Sequence, residues 1–149
     1  MVPEGDEAQF SIRTNDGEAT YQWQYSSDNG INWRNFSTNH PTAKTADFTL
    51  KAKAGYDGFQ IRCKVTSSSG ITLTSEAAVL SVEAFAIISQ PQDTTVKAGE
   101  DALFVIGVNR QDVTYQWEYS RDNGINWRNF SSKHPTAKTA AFTLKAAAG

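Results

Sequence analysis

The feature that most constrains this chain is a long internal repeat. Residues 21–36 read YQWQYSSDNGINWRNF, and residues 115–130 read YQWEYSRDNGINWRNF, 94 positions further along. Over the longer segment 21–55, 29 of 35 positions recur unchanged in the second copy. A repeat of this length indicates that one structural unit is built twice along the chain. The sequence therefore predicts two tandem domains, which we place at 1–83 and 84–149.

The repeated segment itself predicts a β-hairpin. Tyr21, Trp23 and Tyr25 alternate with polar residues, which is the period of a half-buried strand. Ile31 begins a second alternation that ends at Asn35. The tripeptide Asp-Asn-Gly at 28–30 separates the two strands, and these residue types are typical of tight turns.

The turn has the spacing Ser-x-Asp-x-Gly-x-x-Trp, which resembles an Asp-box. In that motif the carboxylate holds backbone N–H groups and the aromatic residue packs beneath the turn. The resemblance implies a structural role, rather than a catalytic one, for Asp28, Gly30, Asp122 and Gly124. The blades of Asp-box propellers repeat at about 40–50 residues, so a period of 94 excludes a propeller blade.

The remaining segments predict an all-β fold. Short alternating runs recur at intervals, with turn residues between them, and no segment has sustained helical periodicity. Such spacing is typical of a sandwich or barrel. In the lettering of a β-sandwich, the predicted strands are B at 10–12, C at 21–25, C′ at 31–35, E at 48–50, F at 59–65, G at 71–82, and A of the second repeat at 86–95.

The composition excludes several classes of partner. The 14 basic and 16 acidic residues nearly balance and form no basic block, so we expect no nucleic-acid binding. No apolar run approaches the roughly 20 residues of a membrane span, so no membrane insertion is expected. The first residues lack a basic and an apolar region, so they do not predict a signal peptide. The single cysteine cannot form an internal disulfide.

Taken together, YQWQ with the Asp-box, GFQIRCKVT, TSEAAVLSV and ISQPQD resemble the tandem immunoglobulin-like (Ig-like) modules of large bacterial surface proteins. The resemblance implies an Ig-like β-sandwich in two repeats of about 94 residues. It implies that Trp23 and Trp117 are the core tryptophans and that Cys63 is the buried cysteine of strand F. The cysteine of strand B is replaced by Ile12 and Ile106, so the resemblance implies no bond between the sheets.

Against a full Ig-like unit, the two repeats are cut unevenly. The first lacks strand A, whereas the second has strands A to E but lacks F and G. The missing strands would leave an open sheet edge and an uncovered apolar face, which favour association. Two explanations stay open. The sequence is a slice of a longer array, or another molecule supplies the strands, through self-association or a neighbouring Ig-like repeat.

The aromatic residues of the C–C′ hairpin are the candidate binding surface. By alternation, Trp33 and Phe36 face opposite sides, so one of them is expected to be exposed beside Arg34. An exposed aromatic ring there could stack on a glycan or a protein, whereas a buried one would cap the sandwich. The same interpretation applies to the second copy, at Trp127, Arg128 and Phe130.

The sequence gives little support for a catalytic site or a metal-binding site. A nucleophilic Cys63 would need a base, and only His40 and His134 could provide one. The two histidines occupy equivalent loop positions, so each repeat offers a single imidazole to a metal. We therefore expect no cofactor and no enzymatic activity. The predicted function is a non-catalytic extracellular or cell-surface repeat that acts as spacer and adhesion surface, with a carbohydrate-binding module as the alternative.

Overall fold

The computed structural model describes residues 1–148 and divides into two compact units, Met1–Ala84 and Phe85–Gly149. The division falls one residue after the boundary placed between 83 and 84. Strands dominate both units, and the helical part of the described residues is the short 3-10 turn Ala54–Tyr56. This nearly all-β architecture confirms the predicted fold class at the level of strands and sheets. No helix in the described range is long and apolar enough to cross a membrane.

The first unit is built from short strands that alternate along the chain with turns. Its strands are β1 (Val2–Pro3), β2 (Glu7–Ser11), β3 (Thr20–Ser26), β4 (Arg34–Asn35), β5 (Asp47–Lys51), β6 (Gln60–Thr66), β7 (Thr72–Thr74), β8 (Ala78–Val79) and β9 (Val82–Glu83).

These strands form a two-stranded sheet, a five-stranded sheet and one separate parallel pair. In the first sheet, β2 lies antiparallel to β5 over five residue pairs. In the second, the order is β4-β3-β6-β7, and β8 also pairs with β6. The strands β1 and β9 pair in parallel. By the 94-residue shift, β1 corresponds to residues 96–97 and not to the strand A predicted at 86–95 of the second repeat, so β1 is a short strand that the sequence did not predict.

The core of the first unit contains aromatic rings from both sheets. Trp23 from β3 stacks on Phe48 from β5, with ring centroids 5.5 Å apart and planes at 19°. Cys63 from β6 is fully buried, and it is the register partner of Trp23. Burying a side chain of the size of Phe48 contributes about 1.5–3 kcal/mol. Ile12 is half-buried and packs against this cluster just beyond the end of β2.

The second unit repeats part of this arrangement. Its strands are β10 (Ile87–Ser89), β11 (Asp101–Val105), β12 (Gly107–Val108), β13 (Glu118–Tyr119), β14 (Arg128–Asn129) and β15 (Ala141–Lys145). The pair β11–β15 has the register of β2–β5 shifted by 94 residues, and β13–β14 has that of β3–β4. The strand β10 pairs with β12, so the predicted strand A of this repeat is present, although it is shorter than predicted.

The two units differ in the strand that carries Trp23 in the first unit, because Trp117 lies just before the equivalent strand β13 in the second. In the first unit β3 has seven residues, all of which pair with β6. In the second unit the equivalent strand β13 has two residues, and they pair with β14 alone among residues 1–148. The equivalent tryptophan, Trp117, is half-buried, whereas Trp23 is 4 % exposed. Ile106, also predicted to be core, is half-buried as well.

Candidate functional site

The Asp28 carboxylate organises the turn of the first hairpin. Its Oδ1 accepts hydrogen bonds from the Ser26 hydroxyl at 2.7 Å and from the Asn32 backbone N–H at 2.8 Å. Its Oδ2 accepts one from the Asn32 side-chain amide at 2.7 Å. The Gly30 N–H donates in turn to the Ser26 hydroxyl at 2.8 Å. The carboxylate therefore holds both ends of the turn.

Two residues of this turn occupy the left-handed backbone region. Asn29 has φ of 59° and Gly30 has φ of 86°. Asparagine and glycine are the residues that adopt this conformation at least cost. The Trp33 indole N–H then donates to the Gly30 carbonyl at 3.0 Å, which places the ring under the turn.

The second hairpin reproduces this geometry. Ser120 donates to Asp122 at 2.8 Å, and the Asn126 N–H donates to the same carboxylate at 2.8 Å. The Trp127 indole N–H reaches the Gly124 carbonyl at 3.1 Å. The turn forms in both units, although among residues 1–148 only the first unit has a strand, β6, that pairs with the strand before the turn. Local side-chain hydrogen bonds therefore determine the conformation of the turn.

The hydrogen bonds to these carboxylates set their charge. Donation from the Asn32 backbone and side chain, followed by the Ser26 hydroxyl, lowers the pKa of Asp28 to about 2. The Asn126 backbone and side chain and the Ser120 hydroxyl lower the pKa of Asp122 to about 2 in the same way. Both groups are therefore ionised at neutral pH and engaged with neighbouring donors, which suits a structural turn rather than a proton donor.

Phe36, one of the predicted surface aromatics, lies in the core. It is 7 % exposed, and its ring is 4.7 Å from that of Phe48. This corrects its assignment to a binding surface. Alternation predicted that Trp33 and Phe36 face opposite sides, and Phe36 is the one that faces the core. Its N–H donates back to the Trp23 carbonyl at 3.0 Å.

Trp33 is half-buried, because Arg62 of β6 covers it. The guanidinium carbon of Arg62 lies 3.8 Å from the indole ring centroid, and the Arg62 Nε–H donates to the Gln24 side-chain oxygen at 2.9 Å. Arg34 is exposed beside them. Sequence reasoning missed Arg62, since only the β3–β6 register places it opposite Gln24.

In the second unit the equivalent tryptophan is open to solvent. Trp127 is 58 % exposed, and Arg128 next to it is also exposed. The two residues line a cavity of about 420 Å³ together with Tyr119, Arg121, Asp122 and Asn126. Phe130 is half-buried, with its ring 4.6 Å from that of Phe142. Of the two copies of the candidate surface, the second therefore presents the free aromatic face.

The second unit also carries an apolar groove beside Trp117. The groove has a volume of about 250 Å³, and Phe85, Ile87, Ile106 and Val108 line it together with residues 113–117. Ile87 and Phe85 are about half exposed at its rim. The groove follows the chain segment that corresponds to β3.

The Cys63 thiol has the environment of a structural group. It is fully buried opposite Trp23, and desolvation raises its pKa, which disfavours the thiolate needed for nucleophilic attack. His40 packs edge-on against Phe36, and His134 packs in the same way against Phe130. Residues 1–148 contain no group of three or more His, Cys, Asp or Glu side chains that could hold a metal ion.

Comparison with known proteins supports the duplicated turn. The BNR/Asp-box repeat family matches residues 24–35 and again 118–129. These two matches cover the hairpins described above and confirm both the predicted Asp-box and its tandem repetition. Asp-box repeats are typical of extracellular proteins. No curated protein and no solved structure matches the chain significantly.

Proposed function

We propose that the chain is a non-catalytic extracellular module of Ig-like repeats that serves as a structural spacer and as an adhesion surface for proteins. The observation that carries this proposal is the geometry of the duplicated hairpin. Both oxygens of each Asp-box carboxylate accept bonds from within the turn, so the most strongly repeated part of the sequence maintains a scaffold.

The strand arrangement of the first unit supports the Ig-like part of the proposal. An Ig-like sandwich places strands B and E in one sheet and C, F and G in the other. The pair β2–β5 and the order β4-β3-β6-β7 correspond to that division. Trp23 opposite Cys63 corresponds to the tryptophan and the cysteine of strands C and F.

The adhesive part of the proposal rests on the second unit. Among residues 1–148, β14 is the one strand that pairs with β13, which follows Trp117 directly, and an apolar groove lies alongside. Open edges and apolar patches are the surfaces on which proteins add strands from a partner. Assembly by strand complementation is therefore the form of adhesion that we propose for this module.

If the chain is part of a spacer built from repeats, its gene should encode several copies of the repeat. Repeat proteins stack several similar units, and two units give little length. We expect the gene that encodes this chain to contain further copies of the 94-residue unit, each with a Ser-x-Asp-x-Gly-x-x-Trp turn. Sequencing the whole gene checks this. A gene without further copies would count against a spacer.

The exposed Trp127 favours one alternative, a carbohydrate-binding module. Sugar rings can stack on a free indole face, and the cavity beside Trp127 offers charged and amide groups for hydroxyls. A glycan array should then give hits that Trp127→Ala removes. Trp33→Ala is the matched control and should retain them, because Arg62 already covers Trp33. An array without hits, or hits that survive Trp127→Ala, would reject the alternative.

A further inference from the structure

The first unit contains a cavity of about 320 Å³, which lies at the lower end of the range of small-molecule sites. The residues that line it come from β3 and the turn after it, from the segment 34–40 and from the segment 56–59. In this unit β6 pairs with β3 over all seven residues, so the cavity is not a gap left where β6 would lie.

Five of the lining residues form a continuous row of rings. The ring centroids of Tyr56 and Phe59 lie 5.1 Å apart, and that of Phe59 is 5.6 Å from that of Tyr25. The Phe36 ring lies 4.9 Å from Tyr25 and 5.1 Å from the His40 imidazole. All of these rings except Phe36 are half-buried, so the row keeps part of its surface open. Apolar C–H groups of a ligand can pack on such a wall.

The charge of the cavity favours an anionic ligand. Arg34 is exposed, and within residues 1–148 its side chain has no ion pair or hydrogen bond. None of the nine lining residues is acidic. The Lys53 ammonium lies 5.5 Å from the centroid of the Tyr56 ring and adds a second positive charge nearby. A cleft lined by one sign of charge attracts ligands of the opposite sign, so these cations disfavour a cationic ligand on the same rings.

We propose that this cavity binds the carboxylate-bearing pyranose ring of an acidic sugar, a hexuronic acid residue. Arg34 pairs with the carboxylate through two parallel N–H bonds, and the C–H groups of the sugar pack on the row of rings. The site is distinct from the groove beside Trp117 and from Trp127, because all its lining residues belong to the first unit.

The lining favours a sugar acid over an aromatic acid. Seven of the nine lining side chains can form hydrogen bonds, and Phe36 and Phe59 are the two that cannot. Hydroxyl groups around a pyranose ring would engage the hydroxyls of Ser27 and Ser37. An aromatic ring in the same place would leave these polar groups without partners, and unpaired polar groups weaken binding.

The test titrates the full chain with methyl β-glucuronide and methyl β-glucoside, which differ only in a carboxylate in place of a hydroxymethyl group. Backbone amide chemical shifts in NMR report binding and locate it. We expect the glucuronide to shift amides at Tyr25, 34–37 and Phe59. It should bind at least about fivefold more tightly than the glucoside, because only the glucuronide presents an anion to Arg34. Benzoate, which has a carboxylate but no hydroxyl groups, should bind more weakly than the glucuronide.

Variants of the chain test the part played by Arg34. Arg34→Ala should weaken glucuronide binding at least about fivefold and change glucoside binding little. Arg34→Lys should retain part of the preference, since it keeps the charge but loses the planar fork. Lys44→Ala is the matched control, because it removes another exposed cation of the same unit that does not line the cavity. It should leave both affinities nearly unchanged.

Four results would overturn the proposal. They are no amide shifts with the glucuronide, equal affinity for glucuronide and glucoside, shifts confined to residues outside the cavity, and benzoate binding at least as tight as that of the glucuronide. The last would indicate a site for aromatic acids. The comparison of the three probes uses the natural chain, so it decides the question even if a variant fails to fold.

Discussion

Two aspartates determine the conformation of the duplicated turn. Asp28 accepts bonds from the Ser26 hydroxyl and from the backbone N–H and side-chain amide of Asn32, and Asp122 accepts the same set from Ser120 and Asn126. Their pKa lies at about 2 in the folded chain, below the ordinary value of 3.8, because these donors favour the charged form. Folding therefore favours ionisation, and the stabilisation is complete above pH 3.8. It is lost as the pH falls towards 2.

This linkage predicts the acid sensitivity of two variants. Asp28→Asn and Asp122→Asn should each lower the melting temperature at pH 7, since an amide places an N–H₂ group where the turn needs an acceptor. Each should also reduce the loss of stability between about pH 4 and pH 2. Thermal unfolding followed by circular dichroism at several pH values measures both effects.

Asp93→Asn is the control for the change in net charge, because Asp93 is exposed and lies outside both turns. It should leave the melting temperature at pH 7 nearly unchanged. If the Asp28 and Asp122 variants retain the full acid sensitivity of the natural chain, the carboxylates do not hold the turns as described.

At the scale of the element, alternation predicted where most strands lie but not how far they extend. The strands β3, β5 and β6 fall on the predicted alternating runs because each buries side chains of one face, whereas β2 spans Glu7–Ser11 instead of the predicted 10–12. The predicted strand at 31–35 shortens to β4, since the Asp-box turn engages the residues before it. Ile31 is consequently 79 % exposed.

The candidate site was harder to predict because it depends on pairing register. The Asp-box lies within eight consecutive residues, so its spacing was sufficient to find it. Arg62 and Trp33 are distant in the sequence, and no local sequence pattern encodes the contact between them. The burial of Phe36 was hard to predict for the same reason, because it depends on ring contacts with Phe48 and Tyr25, which lie on other strands.

At the scale of the whole molecule, near-identical hairpins occur in two units whose described residues form different sets of strands. The first unit surrounds its tryptophan with two sheets, whereas the second leaves its tryptophan half-buried among the described residues. Local bonds hold the turn in both, but the length of the tryptophan strand follows the presence of a partner strand. The sequence of each repeat thus determines the conformation of its turns, whereas the presence of a pairing strand determines how long its strands are.

The parallel pair β1–β9 determines how the first unit bears tension. The Val2 N–H donates to the Ser81 carbonyl at 2.8 Å, and the Glu4 N–H donates to the Glu83 carbonyl at 2.9 Å. A pull applied before Val2 and after Glu83 drives two parallel strands in opposite directions along their length. Both hydrogen bonds are then loaded together in shear, rather than opened one after the other.

This geometry predicts that the first unit resists stretching at its ends. In single-molecule pulling, Val2→Pro should lower the rupture force of this unit, because proline lacks the N–H and one bond worth about 0.5–1.5 kcal/mol is lost. Val2→Ala keeps the donor and is the control; equal rupture forces for the two variants would exclude a clamp at β1–β9. A spacer with such a clamp transmits force along the chain while its core stays folded.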